Sequence, residues 1–200
     1  MKGSLVIIGF FVLGVVCGLC RLFPACLSAA DLGFYALCAL MCCVGIGLGS
    51  DPQTLRNFRL LSPRLLCLPL GTVAGTLAGS AVVGLLLAHR STADCLAVGS
   101  GFGYYSLSSV FITQYRGAEL GTVALLANIC RELFTLLAAP FLARRFGPLA
   151  PIAAGGATTM DTTLPVITRA SGQAFVVVSV FHGFVVDFSV PFLVTLFSLL

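Results

Sequence analysis

One acidic residue stands in the run Gly155-Gly156-Ala157-Thr158-Thr159-Met160-Asp161-Thr162-Thr163-Leu164-Pro165, flanked by chain apolar enough to fill a bilayer. A carboxylate at membrane depth costs roughly 2.5–3.5 kcal/mol on insertion scales. The glycines, threonines and proline around Asp161 mark a helix that breaks there. Irregular backbone at that depth persists only inside protein or along a watery cavity. A charge on a broken helix is the pattern of a transport site. The simpler alternative is a loop Asp that caps the next helix.

A second run has the same character: Gly99-Ser100-Gly101-Phe102-Gly103-Tyr104-Tyr105-Ser106-Leu107-Ser108-Ser109. Glycine is common where membrane helices pack, but Gly99, Gly101 and Gly103 are denser than packing needs. A pair of short, Gly-interrupted apolar segments points to a transporter site. Gly101-Phe102-Gly103 is not a nucleotide fingerprint, because it lacks the strand–turn–helix context. The hydroxyls of Ser100, Ser106, Ser108, Thr158, Thr159, Thr162 and Thr163 can coordinate a substrate or an ion, or bond back to their own helix. Half-helix N-termini at the two breaks suit a carboxylate. Asp161 suits an ammonium group or a proton. Together they suit an amino acid with a cationic side chain.

Between the breaks, Asn128, Arg131 and Glu132 follow i, i+3, i+4 spacing and share a helix face. Arg131 and Glu132 are adjacent and cannot pair with each other, so each needs a partner on another segment. Arg131 beside Asp161 would hold that acid ionised; the alternative is a structural network that locks the bundle. His182 lies mid-helix, where a His either relays protons or bonds a neighbouring helix. Asp187 is about 140° further round that helix. It suits a subunit contact or the outer vestibule, and the site is not expected to include it.

Composition fixes the class. The chain has 200 residues, 58% hydrophobic and 9% charged, against about 25% charged in a soluble domain. It reads as an all-α integral membrane protein, a single transmembrane transporter domain over 1–200, and not an enzyme. The net charge of +4 says little about nucleic acid, because the basic residues sit mostly in short loops and not in a patch, and no nucleic-acid partner is expected. The apolar stretch after Lys2 mimics a signal peptide, but its length and the spans that follow favour a retained anchor. The nine cysteines lie mostly in apolar segments, where free Cys packs as a small hydrophobe. Cys17-x-x-Cys20 has no second pair at zinc spacing. No metal and no cofactor are expected.

A spanning helix needs about 20 apolar residues. Five stretches qualify: 4–22, 32–49, 65–88, 120–142 and 174–200. A basic loop fills 51–64. The Gly-rich segments 96–113 and 152–169 are broken or re-entrant, giving seven crossings if both span. Loop charge sets orientation. With a cytoplasmic N-terminus and re-entrant breaks, Lys2, Arg56, Arg59, Arg64, Arg144, Arg145 and Arg169 lie inside, and Arg21, Arg90 and Arg116 outside. Full crossings give a narrower split. Either way the C-terminus lies outside.

The strings Gly101-Phe102-Gly103-Tyr104-Tyr105-Ser106-Leu107-Ser108, Arg131-Glu132-Leu133, Gly156-Ala157-Thr158-Thr159-Met160-Asp161-Thr162-Thr163-Leu164-Pro165-Val166 and His182-Gly183-Phe184, in this order, resemble the bacterial lysine exporter family. The resemblance implies export of L-lysine and toxic lysine analogues across the inner membrane, and that Asp161 matches an intramembrane acid important for export. It covers the family's C-terminal part. Family members commonly carry a further N-terminal half with about three more spans and a second functional acid. A small membrane subunit could supply that half, or a homodimer could substitute.

The expected substrate and coupling residues are Asp161, Thr158, Thr159, Thr162, Gly101, Gly103, Tyr104, Ser106, Asn128, Arg131, Glu132 and His182. The expected mechanism is secondary antiport, with lysine leaving against proton entry and Na+ as the other candidate coupling ion. Two other classes use the same features. One is a sodium- or proton-coupled importer or channel for another small solute. The other is a non-transporting scaffold or Cys-based redox protein, which needs neither Asp161 nor lysine.

Overall fold

The computed structural model describes residues 67–87 and 89–200, and before them Leu13, Val16, Cys17, Tyr35, Ala39, Cys42, Ile46, Ser50 and Leu65. Apart from those single positions, the spans expected over 4–22 and 32–49 and the basic loop over 51–64 lie outside the described residues. The chain divides into two units, Met1–Ala39 and Leu40–Leu200. Every helix named below belongs to the second.

Among the described residues all regular structure is helical: α1 (Leu68–Leu86), α2 (Thr92–Gly99), α3 (Tyr105–Arg116), α4 (Ala118–Phe146), α5 (Ala150–Gly155), a 3-10 turn (Gly156–Met160), α6 (Leu164–Ser171), a short 3-10 turn (Gln173–Phe175) and α7 (Val176–Leu199). Among the described residues, three stretches are long and apolar enough to cross a membrane: Leu68–Leu86, Ala118–Phe146 and Gln173–Leu199. They match the expected spans over 65–88, 120–142 and 174–200. Pro69 opens α1 in its first turn, where its missing N–H costs nothing. The 29 residues of α4 reach about 43 Å at 1.5 Å per residue, more than the roughly 30 Å of a hydrocarbon core.

Polarity is inverted relative to a water-soluble bundle. Leu85, Leu137, Phe141, Phe188 and Phe192 are exposed, while Ser100, Ser108, Asn128, Thr135, Thr159, Thr163, Ser179, His182 and Asp187 are buried. Apolar side chains facing outward suit lipid, and polar ones facing inward find partners within the bundle.

Each Gly-rich segment folds as a hairpin of two short helices. Ser91 caps α2 by accepting a hydrogen bond from the Asp94 N–H at 3.0 Å. Asp94, at the start of α2, lies 3.7 Å from Arg116 at the end of α3. Arg90 meets Glu119 at the start of α4. The α2–α3 segment therefore returns to the end of the bundle it came from. The second segment does the same, since Ser171 at the end of α6 donates to the carbonyl of Pro148, just before α5, at 2.8 Å. Because α4 runs the length of the bundle between them, the two hairpins enter from opposite ends. The C-terminus lies at the first end, where the Arg116 Nε–H donates to the Ser198 carbonyl at 2.8 Å.

Candidate site where two helical hairpins meet

The hairpin tips touch. The Ala157 N–H donates to the Phe102 carbonyl at 2.9 Å, joining the first break to the second. Gly156 makes the approach possible: a Cβ there would stand 2.2 Å from that same carbonyl oxygen, at φ 62°. The 3-10 turn also lies flat on α7. A Cβ on Gly183 would fall 2.6 Å from the Met160 backbone nitrogen.

Asn128 and Arg131 fasten this junction. The Asn128 side chain accepts from the Gly103 N–H at 2.8 Å and donates to the Ala124 carbonyl at 2.9 Å. Its amide also reaches the Val98 carbonyl and the Ser108 hydroxyl, each at 3.3 Å. It thus ties the non-helical tip to α4, satisfying backbone groups that a broken helix leaves orphaned. Gly101 packs against this amide. The pairing of Arg131 with Asp161 expected from sequence does not form. Arg131 donates to the Ala154 carbonyl at 2.9 Å, the Ala153 carbonyl at 3.3 Å and the Thr76 hydroxyl at 3.1 Å. Its guanidinium lies 5.9 Å from the Phe102 ring centroid. The physical reason is that a helix ending mid-bundle exposes carbonyls at its negative end, and a planar cation with several donors is the fitting partner.

His182 is fully buried and occupied on both ring nitrogens. Nε2 is 2.8 Å from the Thr72 hydroxyl and Nδ1 is 3.2 Å from the Thr159 hydroxyl. Thr159 also donates toward the Gly156 and Ser179 carbonyls at 2.8 and 3.0 Å. This pair joins α1, the 3-10 turn and α7.

The acids gather elsewhere. A cavity of about 170 Å³ opens at the junction, lined by Gly103, Tyr104, Tyr105, Ser106, Glu132, Ala157, Thr158, Met160, Asp161, Thr162 and Asp187. Of the residues expected from sequence, it brings together Asp161, Glu132, Thr158, Thr162, Gly103, Tyr104 and Ser106. The Asp161 side chain is exposed and takes the following Thr162 N–H. Thr158 is held by the Gly155 carbonyl at 2.9 Å and by Thr163 at 3.2 Å. Gly101, Thr159 and His182 stand behind this lining. Asn128 and Arg131 face a larger cavity of about 570 Å³, bounded mainly by apolar residues of α1, α2 and α4, with Arg90 and Asp94 near one end. The smaller cavity is the better candidate for a charged solute, because it gathers Glu132, Asp161 and Asp187, whereas Asp94 at the larger one stands beside Arg116. The larger one is a vestibule on the other side of the Asn128–Arg131 fastening.

One lining residue, Asp187, was not expected. A helical wheel shows that it points away from His182, but not which neighbour it then faces. The signal present in the sequence was an acid in mid-span, which is costly unless it has a purpose.

The family profile described as "Lysine exporter LysO" matches residues 8–198. The chain belongs to the lysine exporter family. The LysO lysine exporter of Escherichia coli (strain K12) is 35% identical over 195 residues, covering 98% of this chain and 64% of that protein. A protein of Haemophilus influenzae, provisionally named a lysine exporter, is 32% identical over 195 residues, covering 98% of this chain and 95% of that protein. This member of the family thus spans less than two thirds of the E. coli relative and nearly all of the H. influenzae one. No solved structure matches it.

Proposed function

We propose that this chain is a secondary transporter that exports L-lysine and lysine analogues across the bacterial inner membrane, driven by proton entry. The observation that carries this reading is the pair Asp161 and Glu132 in one small cavity at the meeting point of two opposed hairpins, in a member of the lysine exporter family. A cavity of about 170 Å³ is below the roughly 300–1,000 Å³ typical of drug-sized ligands, and suits a small solute. Asp161, the exposed acid, takes the ammonium group of the lysine side chain. The substrate carboxylate lies against the N-terminus of α3, at Tyr105 and Ser106, where the helix dipole favours an anion. Thr158, Thr162 and Tyr104 supply hydroxyls around it. Outward movement of a cation opposes the membrane potential by about 2.3 kcal/mol per charge per 100 mV, and proton entry offsets that cost.

In this reading both hairpins are re-entrant, with five spans, a cytoplasmic N-terminus and an external C-terminus. Support comes from the shared end of Asp94 and Arg116 and from the contact of Ser171 with Pro148. The working unit is completed by a small membrane subunit or by a second copy of this chain.

Efflux of labelled lysine from cells tests the assignment. Asp161→Asn should abolish export, at least a tenfold loss, with the protein still inserted in the membrane. Export at the wild-type rate by that variant would sink the role of Asp161, and sodium-dependent inward transport would replace export with import.

A further inference from the structure

The acid that the sequence left without a role has an unusual setting. Asp187 is 3% exposed and lines the small cavity with Asp161 and Glu132. Among the described residues it accepts no hydrogen bond and meets no cation. A buried, ionised carboxylate with neither is strongly disfavoured. Asp161 lines the same cavity, and two carboxylates sharing a site cannot both ionise cheaply.

Among the described residues the surroundings offer no other compensation. Of the elements packed against α7, α1 and α5 carry no charged residue. From α2 come Cys95 and Asp94, the latter beside Arg116 of α3. From α6 comes Arg169, in its last turn. Tyr104, Tyr105, Asp161 and Glu132 share the cavity with Asp187, and His182 on its own helix is committed to Thr72 and Thr159.

We infer that Asp187 is the group that carries the exchanged proton. This inference rests on the lysine-export reading and places the coupling proton on Asp187. Access divides the work between the two acids. A solvated ammonium group reaches the exposed Asp161, whereas a proton is the cation small enough to settle on the buried Asp187. With the cavity empty, Asp187 is a neutral carboxylic acid. When the substrate ammonium group pairs with Asp161, the like charge is cancelled, the O–H bond of Asp187 breaks and the proton passes to cavity water. Release of substrate reverses the step. Substrate and proton thereby compete through two carboxylates rather than for one, and the coupling is reciprocal, as linkage requires.

Lysine affinity of the purified full chain, together with any small membrane protein encoded beside it, measured against pH across the neutral range, tests this. The wild type should bind more tightly as pH rises, by up to about tenfold per pH unit for one linked proton. Asp187→Asn should flatten that slope, and Asp187→Glu, which keeps an acid, should retain it. A wild-type slope in Asp187→Asn would overturn the inference and return the proton to Asp161 or Glu132. A folded Asp187→Asn that binds no lysine at any pH would also overturn it, making Asp187 a substrate contact. If Asp187→Asn does not fold, the Glu variant decides: a flat slope there overturns the inference and a retained slope supports it. A wild-type chain that binds no lysine at any pH would overturn the export reading itself, and this inference with it.

Discussion

Arg131 shows how a residue can sit in the right motif and do a different job from the one its charge suggests. Its three hydrogen bonds hold two carbonyls near the end of α5 and a hydroxyl of α1, so it is a fastener for the second hairpin. Lysine in its place would keep the charge but lose the planar fork. Arg131→Lys should therefore lower stability by about 2 kcal/mol, the scale of charged hydrogen bonds lost, read as a lower thermal midpoint in detergent. Asp161→Asn should leave that midpoint nearly unchanged while removing transport. The contrast separates the fastening from the site. The motif Arg131-Glu132 was legible in the sequence, and so was the need of Arg131 for a partner on another segment; the partner expected for Glu132 is not found among the described residues, where it lines the small cavity instead. Which partner was not legible, because neighbours on a helix point about 100° apart and only the packed bundle says what each meets. Glu132 faces the acidic cavity and Arg131 the apolar vestibule.

At the scale of elements, the two breaks were the most legible part of the fold. Gly99 to Gly103 and Gly155 to Thr163 combine residues that weaken helices with hydroxyls that satisfy loose backbone groups. The structure ends α2 at Gly99 and α5 at Gly155. Their return to the same end of the bundle was not legible, since it depends on contacts such as Asp94 with Arg116 across the hairpin. The seam between the hairpins depends on missing side chains. Gly183→Ala places a methyl group 2.6 Å from the Met160 nitrogen, and backbone cannot yield as a flexible side chain would. This change should cost about 1–3 kcal/mol or more, as overpacking does. It should also displace the turn that carries Asp161, so lysine binding should weaken together with the thermal midpoint. Full lysine affinity in Gly183→Ala would show that the turn does not need this contact.

For the whole molecule, the inverted polarity and the opposed hairpins describe a membrane bundle whose polar centre lies where the hairpins meet. Arg90, Arg116 and the C-terminus share one end, while Ser171 and Pro148 meet at the other. Loop charge then predicts an external C-terminus. An alkaline phosphatase fused after Leu200 should be active, and a fluorescent protein fused there should be dark; the opposite pattern would invert the topology. The cost of moving a lysine cation outward makes proton coupling the central claim of the account. Its most direct test is entry of labelled lysine into inverted vesicles with an acidic lumen, from membranes carrying this chain together with any small membrane protein encoded beside it. The account predicts accumulation that a protonophore collapses and that Asp161→Asn lacks. Absence of accumulation, or accumulation that ignores the proton gradient and requires sodium, would contradict it.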